Sequence, residues 1–168
     1  MPALPALSAT LPFADAAATC GPTGLADWEA LTRAACQAQA EQRLEQALAG
    51  HVRALWVVEA LLDGPVLRSH PDDCLAALVV SHHSLSDLYR RRGQPRPAAE
   101  HMCAPHELLL RLAGECMSPV QEAAWRHLRE TRAALLGWQE RHGLHPLVEA
   151  CSRLQPQSAP PAQTDYRH

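Results

Sequence analysis

Ten histidines and six cysteines in 168 residues are the side chains best able to do chemistry here. Four of the histidines, His82, His83, His101 and His106, fall within residues 81–112, together with Met102 and Cys103. If residues 81–112 form two helices turning near residue 94, His82 comes opposite His106 and Asp87 opposite His101. Cys103 and His106 share a helix face at a spacing of three, as Met102 and His106 do at four. Imidazole with thiolate is a ligand set for zinc, and with a thioether for a soft copper ion. His82, Cys103 and His106 are therefore the candidate metal ligands. A competing reading makes the same histidines packing residues. Asp87, His101 and Ser84 or Ser86 can be drawn as a nucleophilic triad, but these residue types are common enough for chance to supply the set. No glycine-rich phosphate loop, nucleophile elbow or HExxH accompanies them, so the chain is read as non-catalytic.

The elements that must position these groups are helices. Hydrophobic residues make up 47% of the chain and aromatics only 4%, with Ala and Leu dominant and Ile absent, a mixture suited to helices and poor in strand formers. All 15 basic residues are arginine; the absence of Lys, Asn and Ile, whose codons are AT-rich, points to a GC-rich genome. A net charge of -3 and a pI near 6.3 give no footprint for nucleic acid. The run Arg90-Arg91-Arg92 reads as a helix C-terminus attracting cations. The cysteines have no CxxC spacing and read as reduced thiols. The N-terminus lacks the basic start of a signal peptide, and no apolar run approaches the roughly 20 residues needed to span a bilayer. Together these predict a cytoplasmic protein with no membrane partner.

Along the chain, residues 1–24 read as a flexible arm, 25–154 as one helical domain and 155–168 as a disordered tail. Residues 25–62 carry apolar positions at helical spacing; the polar stretch 37–43 fits a turn between two antiparallel helices or the wet face of one long helix, and two helices are expected. Asp63-Gly64-Pro65 stops the second, and a loop runs to His70-Pro71. The next helix is expected to reach about Arg92, and its return partner to span roughly residues 97–113, with a kink or restart at Pro105. Ser118-Pro119-Val120-Gln121 is a helix start, with Ser at the cap and Pro at the first position. That helix should end at His142-Gly143, before a short amphipathic segment over 146–154. The fold class expected is all-α, with antiparallel helix-turn-helix repeats and about five to six helices.

Residues 81–112 resemble a tetratricopeptide repeat, a helix-turn-helix unit of about 34 residues. Leu85 and Tyr89 take the motif's large positions, Gly93 its turn glycine, Ala98 its small residue and Met102 its Phe position. His82 stands in the Trp position, Ser86 in the Gly position and Pro105 in a late small position. The resemblance implies a scaffold that holds another protein or peptide on a concave face. On this chain that face would carry Val80, His83, Asp87 and Arg90. It also makes His82 a core aromatic and leaves His83 and His101 solvated. Asp87 stands where carboxylate-clamping repeats carry an amide, which does not suit capture of a C-terminal carboxylate.

Overall fold

Seven helices account for nearly all of the described chain: α1 (Gly24–Ala40), α2 (Leu44–Leu62), α3 (Pro65–Ser69), α4 (Pro71–Arg91), α5 (Pro95–Ala113), α6 (Pro119–His142) and α7 (Pro146–Ser152). The structure is a computed structural model and describes residues 24–114 and 118–156; the assigned arm and tail fall largely outside them. The all-α class holds, and no strand occurs among the described residues. Each of α3 to α7 opens on a proline. The first turn of a helix has no acceptor for its N–H groups, so proline loses nothing there and its fixed φ favours the start.

The same rule accounts for two corrections. The segment after Gly64 is not a loop throughout, because extended Gly64 followed by Pro65 starts the one-turn helix α3. The return helix begins at Pro95 rather than near residue 97. Helix α3 makes seven helices among the described residues where about five to six were expected. Pro105 is the exception, lying inside α5, and the helix continues through it without restarting. Burial of Met102, Cys103, His106 and Leu109 around Pro105 is worth about 1.5 kcal/mol or more per large apolar side chain. That offsets the roughly 3 kcal/mol a mid-helix proline costs.

Residues 25–62 do form two helices, joined across 41–43 with Gln42 in the left-handed region at φ 61°. The helices run antiparallel, since Gly24 lies against Leu61 and Gly50 against Ala35. Helix α2 lies antiparallel to α4, with Glu45 of its first turn bonding Arg92 at the end of α4 (2.9 Å). The turn after α4 uses Gly93 at φ 69°, a conformation glycine enters without a Cβ penalty, and α5 returns along α4. Helix α6 then returns along α5, opened by the Ser118 hydroxyl accepting from the Gln121 N–H (3.1 Å). Finally α7 folds back onto α5 and α6.

Helix α4 is the centre, touching α1, α2, α3, α5 and α6 and burying ten of its residues. One apolar cluster joins Leu75 and Val79 to Leu109, Ala124 and Leu128. Another joins Leu78 and Leu85 to Leu55 and Val58. Helices α4 and α6 run parallel: Arg126 forks onto Asp72 (3.2 and 2.5 Å) near their starts, and Asp87 and Arg90 act on His142 near their ends. Trp28 of α1 donates to Ser81 of α4 (2.8 Å).

The close packing of α1 on α2 is testable at Gly50, where an added Cβ would lie 2.8 Å from that of Ala35. Helix propensity alone predicts that Gly50→Ala stabilises by about 1 kcal/mol. The packing predicts a net loss of about 1 kcal/mol or more. Adding Ala35→Gly should then return urea-unfolding stability to within about 1 kcal/mol of the parent. A stabilised Gly50→Ala single variant would contradict the close approach.

Candidate functional site

The central hairpin is held by polar contacts between its helices as well as apolar ones. The Ser86 hydroxyl donates to the Ala98 carbonyl (2.8 Å), and Ala98 and Ala99 are fully buried, small enough for the helices to meet there. This register sets His82 beside His101, not opposite His106. The two Nδ1 atoms are 3.0 Å apart, so one ring donates and the other accepts. The Tyr89 ring stacks on His101 at 5.4 Å and 9°.

The expected metal set does not assemble. His82 is spent on His101. Cys103 turns to α7, its sulfur 3.7 Å from the Leu147 carbonyl. His106 points to α6, its Nδ1 2.8 Å from the Thr131 hydroxyl. Among the described residues no three His, Cys, Asp or Glu side chains group so as to hold a metal ion. The physical reason is the hairpin stagger, which separates three residues that a symmetrical turn would gather. The drawn triad fails on the same ground: Ser86 is committed to a backbone carbonyl, and Asp87 is exposed beside His83 and His142 rather than against His101. His82 is buried, as a core aromatic should be. His83 and His101 are not solvated, since both are partly buried and burial pushes both imidazoles below their ordinary pKa.

The four positions expected to face a partner lie along one side of α4. Val80 is 43% exposed, Asp87 and Arg90 are exposed, and His83 between them is half-buried. The His83 Nε2 is out of solvent and has no hydrogen-bond partner. The offset that pairs Asp72 with Arg126 and His127, and Asp87 with His142, sets His83 level with Trp138 and Gln139 on α6. The Trp138 Nε1 and Gln139 Nε2 are likewise buried without partners. Trp138 meets the edges of His142 (5.3 Å) and His145 (6.0 Å). His142 titrates below its ordinary value through burial first and then the Arg90 and Arg141 guanidinium groups. Sequence reasoning did not single out Trp138, Gln139 and His142 for this face. Its only available signal would have been the parallel offset of two helices, which appears once the chain is folded.

A family model described as a protein of unknown function, DUF2753, matches residues 26–159, and the chain belongs to that family. No curated protein and no solved structure matches the chain. No helix among the described residues is long and apolar enough to cross a membrane.

The histidine pair makes a pH prediction. Burial, then the neighbouring His101 and His83, lowers the His82 pKa from 6.5 to about 4. Between those values the unfolded chain takes up a proton that the folded chain refuses. The stability contribution is whole above pH 6.5 and is lost as pH falls towards 4, by roughly 3 kcal/mol for this group. His82→Phe keeps an aromatic ring that cannot titrate. It should shrink the loss of unfolding free energy between pH 7 and 4.5 by roughly 2 to 3 kcal/mol, with an unchanged loss contradicting the buried neutral pair.

Proposed function

We propose that this member of the DUF2753 family is a non-catalytic helical-repeat scaffold of the tetratricopeptide kind. It would hold an extended segment of another protein along the side of the stack shared by α4 and α6. The observation that carries this reading is the exposed row Val80, Asp87 and Arg90 along one side of α4, with half-buried His83 among them. Gln139 on α6 is only partly buried and its amide Nε2 has no partner, so a small side-chain movement lets its N–H meet an acceptor. An extended peptide offers backbone carbonyls as acceptors at regular intervals. Exposed Val80 adds an apolar contact, and Asp87 beside Arg90 offers both signs of charge, suiting a mixed peptide better than a free carboxylate.

The order of packing supports the repeat reading. Helices α1, α4 and α6 touch in sequence, and each is backed by the helix that follows it in its hairpin. A unit that buries its apolar face only against neighbours needs about three such hairpins, and α1–α2, α4–α5 and α6–α7 supply them. A cytoplasmic location belongs to the same proposal, supported by free thiols at Cys36, Cys74, Cys103 and Cys151 and the rarity of disulfides in that compartment.

Peptides selected from a random display library against the whole chain supply the probe. Exchanging the charges in one chain, Asp87→Arg with Arg90→Glu, should weaken the selected peptides tenfold or more, about 1.4 kcal/mol. The helical circular dichroism and melting temperature should stay unchanged, because both side chains are exposed. Peptides that bind the exchanged variant as tightly as the parent would overturn the assignment of this face.

A further inference from the structure

Cys103 and Cys151 lie 48 residues apart in sequence yet share one apolar cluster with Met102, Trp138 and Val148. The Cys151 sulfur sits 3.9 Å from the backbone carbonyl of Cys103 itself, and the Cys103 thiol reaches back to the Leu147 carbonyl of α7 (3.7 Å). Each cysteine thus rests on the other's helix. The two sulfurs are 5% and 2% exposed by residue, but both residues line a cleft of about 290 Å3 whose other walls are Glu100, Ala104, Glu107, Leu147, Ala150 and Leu154. The cleft gives a small oxidant a route to them. No third metal ligand completes a site here among the described residues.

We propose that Cys103 and Cys151 are a redox pair, closed by hydrogen peroxide into a disulfide that staples α7 to α5. In the reaction the Cys151 thiolate attacks one peroxide oxygen, breaking the O–O bond and giving a sulfenic acid and hydroxide. The Cys103 sulfur then attacks the sulfenic sulfur, the S–O bond breaks and water leaves. Two thiols are oxidised by two electrons, peroxide is reduced, and the protons end in two molecules of water. The roles follow from the electrostatics of the pair. The Cys103 thiol can donate to Cys151 and favours its thiolate, lowering the Cys151 pKa below the ordinary value. Cys103 itself is shifted upward by Cys151 and by burial and stays a thiol.

The staple would matter because α7 is only seven residues long and buries just Val148 and Cys151. Helix α7 nevertheless covers Trp138 and Leu135 at the last hairpin of the stack. A bond closing a 48-residue separation removes a large share of the unfolded chain's freedom. Oxidation would therefore stiffen that end of the protein, and reduction would let α7 detach more readily.

The test treats the untagged full chain with hydrogen peroxide, alkylates remaining thiols and digests it without reductant for mass spectrometry. The expected result is a cross-linked peptide pair holding Cys103 and Cys151, formed in the folded chain ahead of any other pairing and scrambled when the same treatment is made in guanidinium. The melting temperature of the parent should rise on oxidation and fall back with dithiothreitol. Cys151→Ser should show neither change. If Cys151→Ser does not fold, the peptide mapping on the parent still decides. Recovery of Cys103 and Cys151 as alkylated thiols, as separate sulfonic acids, or joined to other cysteines would overturn the proposal.

Discussion

The hydrogen bond from Ser86 to the Ala98 carbonyl sets the geometry on which the rest depends. A serine between two tightly packed helices must place its hydroxyl, because an unpaired one there costs about 1–3 kcal/mol, and the fully buried Ala98 leaves it a carbonyl within 2.8 Å. Once that contact is made the stagger of α4 on α5 is decided. His82 meets His101, Tyr89 covers the pair, and His106 is carried round to Thr131 on α6. A glycine at position 86 would allow the helices to approach but would not choose among neighbouring registers. The serine chooses one.

From that hairpin the molecule grows outwards by small-residue contacts and leucine clusters rather than by large aromatics. Helix α4 packs on α2, α5 and α6 at once, so its buried apolar residues divide among three clusters. The ion pairs at the rim, such as Asp72 with Arg126, have exposed partners and contribute at most about 1 kcal/mol each. Stability therefore lies in the interior, and the acid-sensitive part of it in histidines held neutral by burial, among them His51, His82 and His106. The outward side of α4 contributes little to this interior and carries Val80, Asp87 and Arg90 exposed. Helix α7 stands at the other extreme, with few buried residues and two cysteines at its contact with α5.

Much of the fold was legible in the sequence because it is written locally. The Ser118 cap with Pro119 behind it, the Gly93 turn and the 3.6-residue spacing of leucines each act within a few residues of where they stand. The polar stretch between the two apolar stripes of residues 25–62 fits either a turn or the wet face of one long helix, so the break that the fold makes at 41–43 has no decisive local signal. Helix α3 was missed because one turn is too short to show a period, and Pro105 was over-read because local propensity says nothing of the packing around it. The exposed row Val80, Asp87 and Arg90 was readable from repeat spacing. The metal set was misread because it assumed a symmetrical hairpin, and the register of two helices is decided by facing side chains, not by the midpoint of the turn. Trp138, Gln139 and His142 beside α4, and Cys151 beside Cys103, are products of tertiary assembly and have no local signature.

The register is the claim on which the packed histidines, the dispersed metal ligands and the open α4–α6 side all stand, and it can be read without a partner or a variant. In uniformly 15N-labelled protein at neutral pH, a scalar coupling across the hydrogen bond should link the Nδ1 of His82 to the Nδ1 of His101. One of the two rings should then be in the Nδ1–H tautomer. A coupling absent from that pair, with both rings in the Nε2–H tautomer and His82 close to His106 in nuclear Overhauser spectra, would contradict the account at its foundation.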